Sequence, residues 1–178
     1  MRESKTREIY TVGHSTHSLE EFIKILRSFK IETLVDVRRY PGSRKFPHFN
    51  KDHLQGAIPE TGIEYIHLED LGGRRKSKKD SINTVWRLLS FRGYADYMET
   101  PSFNSAVGKL EEIALTSRVA YMCSEAVWWS CHRSMISDFL KVNGFRVIHI
   151  MGEGKSMEHP YTKPAKVVKG KLKYGSEN

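Results

Sequence analysis

The chain has 178 residues, of which 39% are hydrophobic and 28% charged, with 13 Gly, 6 Pro and 2 Cys. That length encloses one α/β domain with a real core, and the composition excludes a disulfide-stapled miniprotein, a collagenous chain and a wholly disordered one. The net charge of +8 is concentrated in residues 74–79 (RRKSKK) and in five lysines at 163, 166, 169, 171 and 173.

The remaining body is nearly neutral. Two such strips either attract phosphate backbones and anionic surfaces or stay solvated. No apolar run approaches the ~20 residues of a membrane span, and the start, MRESKTREIY, is too charged for a signal peptide. Two cysteines fit a reducing compartment. A soluble, cytoplasmic protein is expected.

In chain order, the first strand is expected at Ile9–Val12, ending in Gly13-His14-Ser15. Ser18 then opens a helix, because it stands three residues before Glu21, the capping-box spacing. Phe22, Ile25, Leu26 and Phe29 form its apolar face. A second strand, Thr33–Val37, runs into a turn-rich stretch from Arg38 to Asn50, and Asn50 is placed to cap a short helix. The third strand is Glu64–Leu68. Residues 70–81 read as a mobile basic loop. Helical segments are expected at Val85–Phe91 and Tyr94–Glu99, and Thr100-Pro101 is the start of another helix. A fourth strand, Arg118–Met122, leads through residues 123–130 to a helix from about Cys131 to Val142, stopped by Asn143-Gly144. Strand five is Arg146–Ile150.

Residues 1–150 thus form a single α/β domain, and 151–178 a basic, mostly irregular extension. Alternating strands and helices predict a three-layer fold, a mostly parallel sheet of about five strands with helices on both faces. Right-handed crossovers suggest the order 3-2-1-4-5 and a ligand crevice at the carboxyl ends of the strands. The loops arriving there are Gly13-His14-Ser15, Asp36–Arg44 and Cys123–Arg133.

Those loops hold the candidate chemistry. Cys131, His132 and Arg133 open a helix, where free N–H groups and the dipole favour an anion. Cys131 is therefore either a lowered-pKa nucleophile or a packed small residue, and Arg133 either holds a phosphate or pairs with Glu125. Neither cysteine has an arginine six positions on, so the cysteine-phosphatase loop is absent. Cys123, Cys131, His132 and His14 lack the close paired spacing of a zinc site, and no metal is expected. Asp36 is either an acid/base or the structural partner of Arg38 or Arg133. His14 is the other acid/base candidate. Ser15, Arg38 and Arg44 complete the ligand-binding set with Cys123, Glu125, His132 and Arg133. Tyr40, Phe46, Phe49, Trp128 and Trp129 offer faces for base stacking or loop packing. The other histidines, among them His149 and His159, read as structural or surface residues. No Walker loop or dinucleotide fingerprint is present, so no cofactor is assigned.

TVGHS at 11–15, DVRRYPGSRKFPHFN at 36–50, YIHLEDLGG at 65–73, FRGYADYM at 91–98 and CSEAVWWSCHR at 123–133 together resemble the family named domain of unknown function 488. The resemblance spans about residues 9–150. It implies a compact α/β domain with these motifs on one side, and no reaction. The chain departs at Ser130, where many relatives carry a charged residue. Two functions follow as expectations: a hydrolase or transferase acting on a nucleotide or nucleic acid, or a non-enzymatic nucleic-acid-binding module. The partner in either case is a phosphate-bearing ligand. Cys131→Ser and Arg133→Ala distinguish them, since only an enzyme has turnover to lose.

Overall fold

The computed structural model describes residues 7–175. One sheet contains β1 (Glu8–Gly13), β2 (Thr33–Asp36), β3 (Glu64–His67), β4 (Val119–Cys123), β5 (Arg146–Gly152) and β6 (Lys155–Glu158). Its order is β3-β2-β4-β1-β5-β6; the first five strands are parallel and β6 is antiparallel to β5. The helices are α1 (Leu19–Ser28), α2 (Lys51–Ala57), α3 (Leu89–Tyr97), α4 (Pro101–Thr116) and α5 (Arg133–Val142).

Strand side chains alternate between two cores, as the period of two requires. Tyr10, Val12, Leu34, Ala120 and Met122 pack with Phe22 and Leu26 of α1 and Leu54 of α2. Ile9, Val35, Val119, Tyr121 and Val147 pack with Tyr94 of α3, Leu110 of α4 and Ile136 of α5. The expected three-layer α/β architecture is present.

Local signals explain the element ends. The Ser18 hydroxyl accepts from the Glu21 N–H and the Glu21 carboxylate from the Ser18 N–H, closing the capping box. Thr100 caps α4 with Pro101 in its first turn, and Gly144 follows α5 at φ +89°.

Four expectations are corrected. First, β4 lies between β2 and β1, so the order 3-2-1-4-5 does not hold. Crossover handedness restricts on which face a helix lies, not which strand becomes the neighbour. The three loops still converge, because β2, β4 and β1 are consecutive in the sheet. Second, one helix, α3, replaces the two segments expected between Val85 and Glu99. Third, the loop at 70–81 is tied down by Asp96, whose carboxylate accepts from the Lys78 N–H, the Ser81 hydroxyl and the Asn83 amide. Fourth, the stretch after Ile150 contains strands that were not expected. It continues β5 to Gly152, supplies β6, and forms a hairpin of β7 (Lys166–Val168) and β8 (Lys171–Lys173). These strands are short and lysine-rich, so no apolar periodicity announced them. Among the described residues, no helix is long and apolar enough to cross a membrane.

Candidate functional site

Gly13 ends β1 against the loop that follows β4. A Cβ there would stand 1.7 Å from the Glu125 carbonyl oxygen, so only glycine admits this approach. The His14 N–H then donates to the Cys123 carbonyl and the Ser15 N–H to that of Ser124. The first and third candidate loops are thereby joined through their backbones.

Asp36, at the end of β2, is fully buried and its oxygens are committed. They accept from the Arg38 N–H, Nε and Nη2, and from the Tyr65 hydroxyl at 2.6 Å. Burial, then the Asp36 charge, pushes the Tyr65 hydroxyl well above its usual pKa. Arg38 also donates Nη2–H to the Phe49 carbonyl and Nη1–H to His14 Nε2 at 3.3 Å. Four of its five N–H groups are thus engaged, and one on Nη1 is left. Because the Ser15 carbonyl can only accept, His14 carries its proton on Nδ1. Its ring stacks on Phe49 at 4.2 Å, and burial lowers its pKa to about 4. His14, Asp36, Arg38 and Tyr65 are a locked, neutral-plus-ion-pair support in which no acid or base is free.

The reactive group lies between the next strand, β4, and α5. Cys131 Sγ accepts from the Arg133 N–H at the start of α5 (3.4 Å) and donates its S–H to Cys123 Sγ (2.9 Å), whose own S–H is directed at the Glu125 carbonyl (3.8 Å). Burial alone would raise its pKa; the Cys123 hydrogen bond and the Arg133 charge and N–H outweigh it and bring it below the ordinary thiol value. Burial pushes Cys123 well above that value. The neighbouring His132 donates Nε2–H to the Val37 carbonyl at 3.0 Å, which leaves a lone pair on Nδ1, 3.5 Å from Cys131 Sγ. Burial lowers the His132 pKa, so the lone pair persists near neutrality. A thiol, a base and a carbonyl that orients the base form the arrangement of an activated nucleophile.

Arg133 points the other way, into the protein. It is 1% exposed and donates to the Thr11 hydroxyl and the Glu125 main-chain carbonyl, not to the Glu125 carboxylate. Among the described residues, no ion pair includes it and its Nε has no partner. Beyond Thr11 runs a buried chain: Thr11 Oγ1 to His149 Nδ1 at 2.7 Å, His149 Nε2 to His159 Nδ1 at 2.8 Å, and His159 Nε2 to Asp138 Oδ1 at 2.8 Å. Arginine only donates and a carboxylate only accepts. The Thr11 hydroxyl therefore accepts from Arg133, and His159 donates its Nε2–H to Asp138. Thr162 and Tyr174 donate to the far oxygen of Asp138. Trp128 lies parallel to His149, 4.5 Å away.

On the solvent side, Cys123, Cys131 and His132 form the floor of a crevice of about 330 Å³, walled by Arg38, Arg39, Tyr40, Gly73, Arg74, Ser124, Glu125 and Tyr94. Tyr40 is 61% exposed, and the guanidiniums of Arg39 and Arg74 stand 5.3 and 5.9 Å from its ring centroid. Arg39, Tyr40 and Arg74 also line an adjoining cavity with Arg75, Lys76 and Lys78. A Cβ at Gly73 would sit 3.0 Å from His132 Nδ1, so glycine keeps that nitrogen accessible.

Of the expected site residues, Cys123, Cys131, His132, Arg38 and Glu125 line this crevice. His14 and Asp36 support it from behind. Arg133 and Arg44 do not line it, and Ser15 lines a separate cavity of about 50 Å³. Of the five candidate stacking rings, Phe49 and Trp128 are buried in packing, whereas Tyr40 and Trp129 are exposed. Sequence reasoning missed Tyr65, Thr11, His149, His159 and Asp138. Thr11 and His149 are cross-strand partners in the β1–β5 ladder, a pairing that only the strand order reveals. Among the described residues, no group of three or more His, Cys, Asp or Glu side chains is arranged to hold a metal ion.

No curated protein and no solved structure matches the chain. The family model described as Domain of unknown function DUF488 matches residues 18–140, which include the Asp36–Arg38 support and the Cys123–Arg133 block. The chain belongs to the DUF488 family.

Proposed function

We propose that the crevice binds a phosphate-bearing ligand, a nucleotide or the end of a nucleic acid. The observation that carries this reading is the exposed Tyr40 ring between Arg39 and Arg74, in the same crevice as Cys131. Guanidiniums take phosphate oxygens in two-pronged contacts, and an aromatic face beside them takes a base. The adjoining cations, Arg75, Lys76 and Lys78, extend the path for a longer backbone. The test is a thermal-shift screen of mononucleotides and short oligonucleotides at low salt. A ligand at 100 times its Kd adds about 2.7 kcal/mol, a rise of roughly 5–10 °C for a domain of this size. No shift with any phosphate compound would remove the reading.

The Cys131–His132 pair favours an enzyme, a hydrolase or transferase, over a passive binding module. His132 Nδ1 takes the thiol proton, the thiolate attacks phosphorus, and an S–P bond forms as the P–O ester bond breaks. The departing oxygen recovers the proton from His132, and water or an acceptor hydroxyl then cleaves the S–P bond. Cys131→Ser should keep ligand binding and lose turnover. A chain that binds nucleotides but never converts them is the binding module instead.

A further inference from the structure

Two thiols share the crevice floor, yet their surroundings treat them unequally. Cys131 opens onto the crevice and its sulfur accepts from the first N–H of the ten-residue helix α5. Cys123 lies behind it, 1% exposed, with its sulfur 2.9 Å from that of Cys131 and no charged group donating to it. Both are free. One sulfur is set up to attack, and the other waits in contact with the product of that attack.

We propose that Cys131 and Cys123 form an oxidisable dithiol whose reactant is a small hydroperoxide, with Cys131 the attacking and Cys123 the resolving thiol. The Cys131 thiolate attacks the terminal peroxide oxygen, the O–O bond breaks, and the departing alkoxide or hydroxide takes the proton held by His132. Cys131 is then a sulfenic acid, oxidised by two electrons. Cys123 sulfur displaces its hydroxyl, which leaves as water with the Cys123 proton. In sum, two thiols and one hydroperoxide give one disulfide, one alcohol or water, and one water. The sulfurs need to close by about 0.9 Å to reach the usual S–S bond of about 2.05 Å. The step shares a thiol with the proposed phosphate chemistry but depends on none of it, since peroxide needs neither Arg39 nor Arg74.

The experiment uses the whole chain, reduced, freed of reductant and given one equivalent of hydrogen peroxide. Samples are denatured in iodoacetamide and cut with trypsin, which releases residues 119–133 with both cysteines in one peptide. The expected product is that peptide about 2 Da lighter and carrying no alkyl group, restored by dithiothreitol. It should form at least about tenfold faster in the folded chain than in urea, because folding supplies both the activated thiolate and the adjacent partner. In Cys123→Ser, dimedone should label Cys131; in Cys131→Ser, Cys123 should stay reduced. Persistent alkylation of both cysteines, equal rates in folded and unfolded chains, or dimedone on Cys123 would overturn the proposal. The wild-type rates decide it even if neither variant folds.

Discussion

On the solvent side of Cys131, Arg39, Tyr40 and Arg74 line a crevice, and among the described residues neither Arg39 nor Arg74 pairs with a carboxylate. On the inner side, Arg133 is buried with its charge carried through Thr11, His149 and His159 to Asp138. The same guanidinium chemistry serves two ends. Outside, a solvated cation costs little to keep and remains available to an anion. Inside, a buried cation is tolerable because it donates to the Thr11 hydroxyl and the Glu125 carbonyl and a hydrogen-bonded chain links it to a carboxylate. That rigid inner side holds the N-terminus of α5, and with it the N–H that steadies the Cys131 sulfur.

The comparison breaks hardest at Asp138. Asp138→Asn removes the carboxylate at the end of the hydrogen-bonded run from Arg133 and disturbs four donors. Removing one partner from a buried charged network costs about 3–5 kcal/mol, so urea unfolding should show a loss of that size. A loss below about 1 kcal/mol would mean that the chain does not compensate Arg133.

Acid tests the same side more gently. Burial lowers His14 to about 4 and, with the nearby His159 and Arg133, His149 to about 2, against 6.5 for the unfolded residue. Both are neutral when folded, so their contribution is complete above the unfolded value and is lost as pH falls below it. Between pH 6.5 and about pH 5.5 the two should cost about 2 kcal/mol of stability. His149→Gln should flatten that slope by about half. A slope that survives the substitution assigns it to other groups.

The outer side should give the smallest change in stability. Arg39→Ala with Arg74→Ala should move the unfolding free energy by no more than about 0.5 kcal/mol each, yet abolish the thermal shift caused by phosphate compounds. A large destabilisation would make these arginines structural, like Arg133.

The sequence and the structure agree where the signal is local. Ser18 with Glu21, Thr100 with Pro101, and Asn143 with Gly144 each mark an element end, because capping depends on neighbours in the chain. The gathering of the loops after β1, β2 and β4 was legible too, since parallel strands end on one edge and both the expected and the observed order keep these three strands consecutive. What lay hidden depends on pairing across distance. His149 read as isolated because its partners, Thr11 and His159, are supplied by β1 and by the residue after β6. Arg133 read as a ligand-binding residue because the helix start predicts an anion, and nothing local shows its side chain turning inward. Arg39 and Arg74 form a pair only because the segment after β3 folds back, with Arg39 donating to the Arg74 carbonyl.

The central claim is that an activated Cys131 faces a cationic crevice, and its alkylation measures both parts at once. Rates of modification of the folded chain by iodoacetate and by iodoacetamide should be followed across pH, with the site read by peptide mass. Cys131 should react and Cys123 should not, with an inflection below the ordinary thiol value. The anionic iodoacetate should also be favoured relative to its behaviour with the unfolded chain, an advantage lost at high salt. Alkylation with the inflection and reagent preference of the unfolded chain would contradict it.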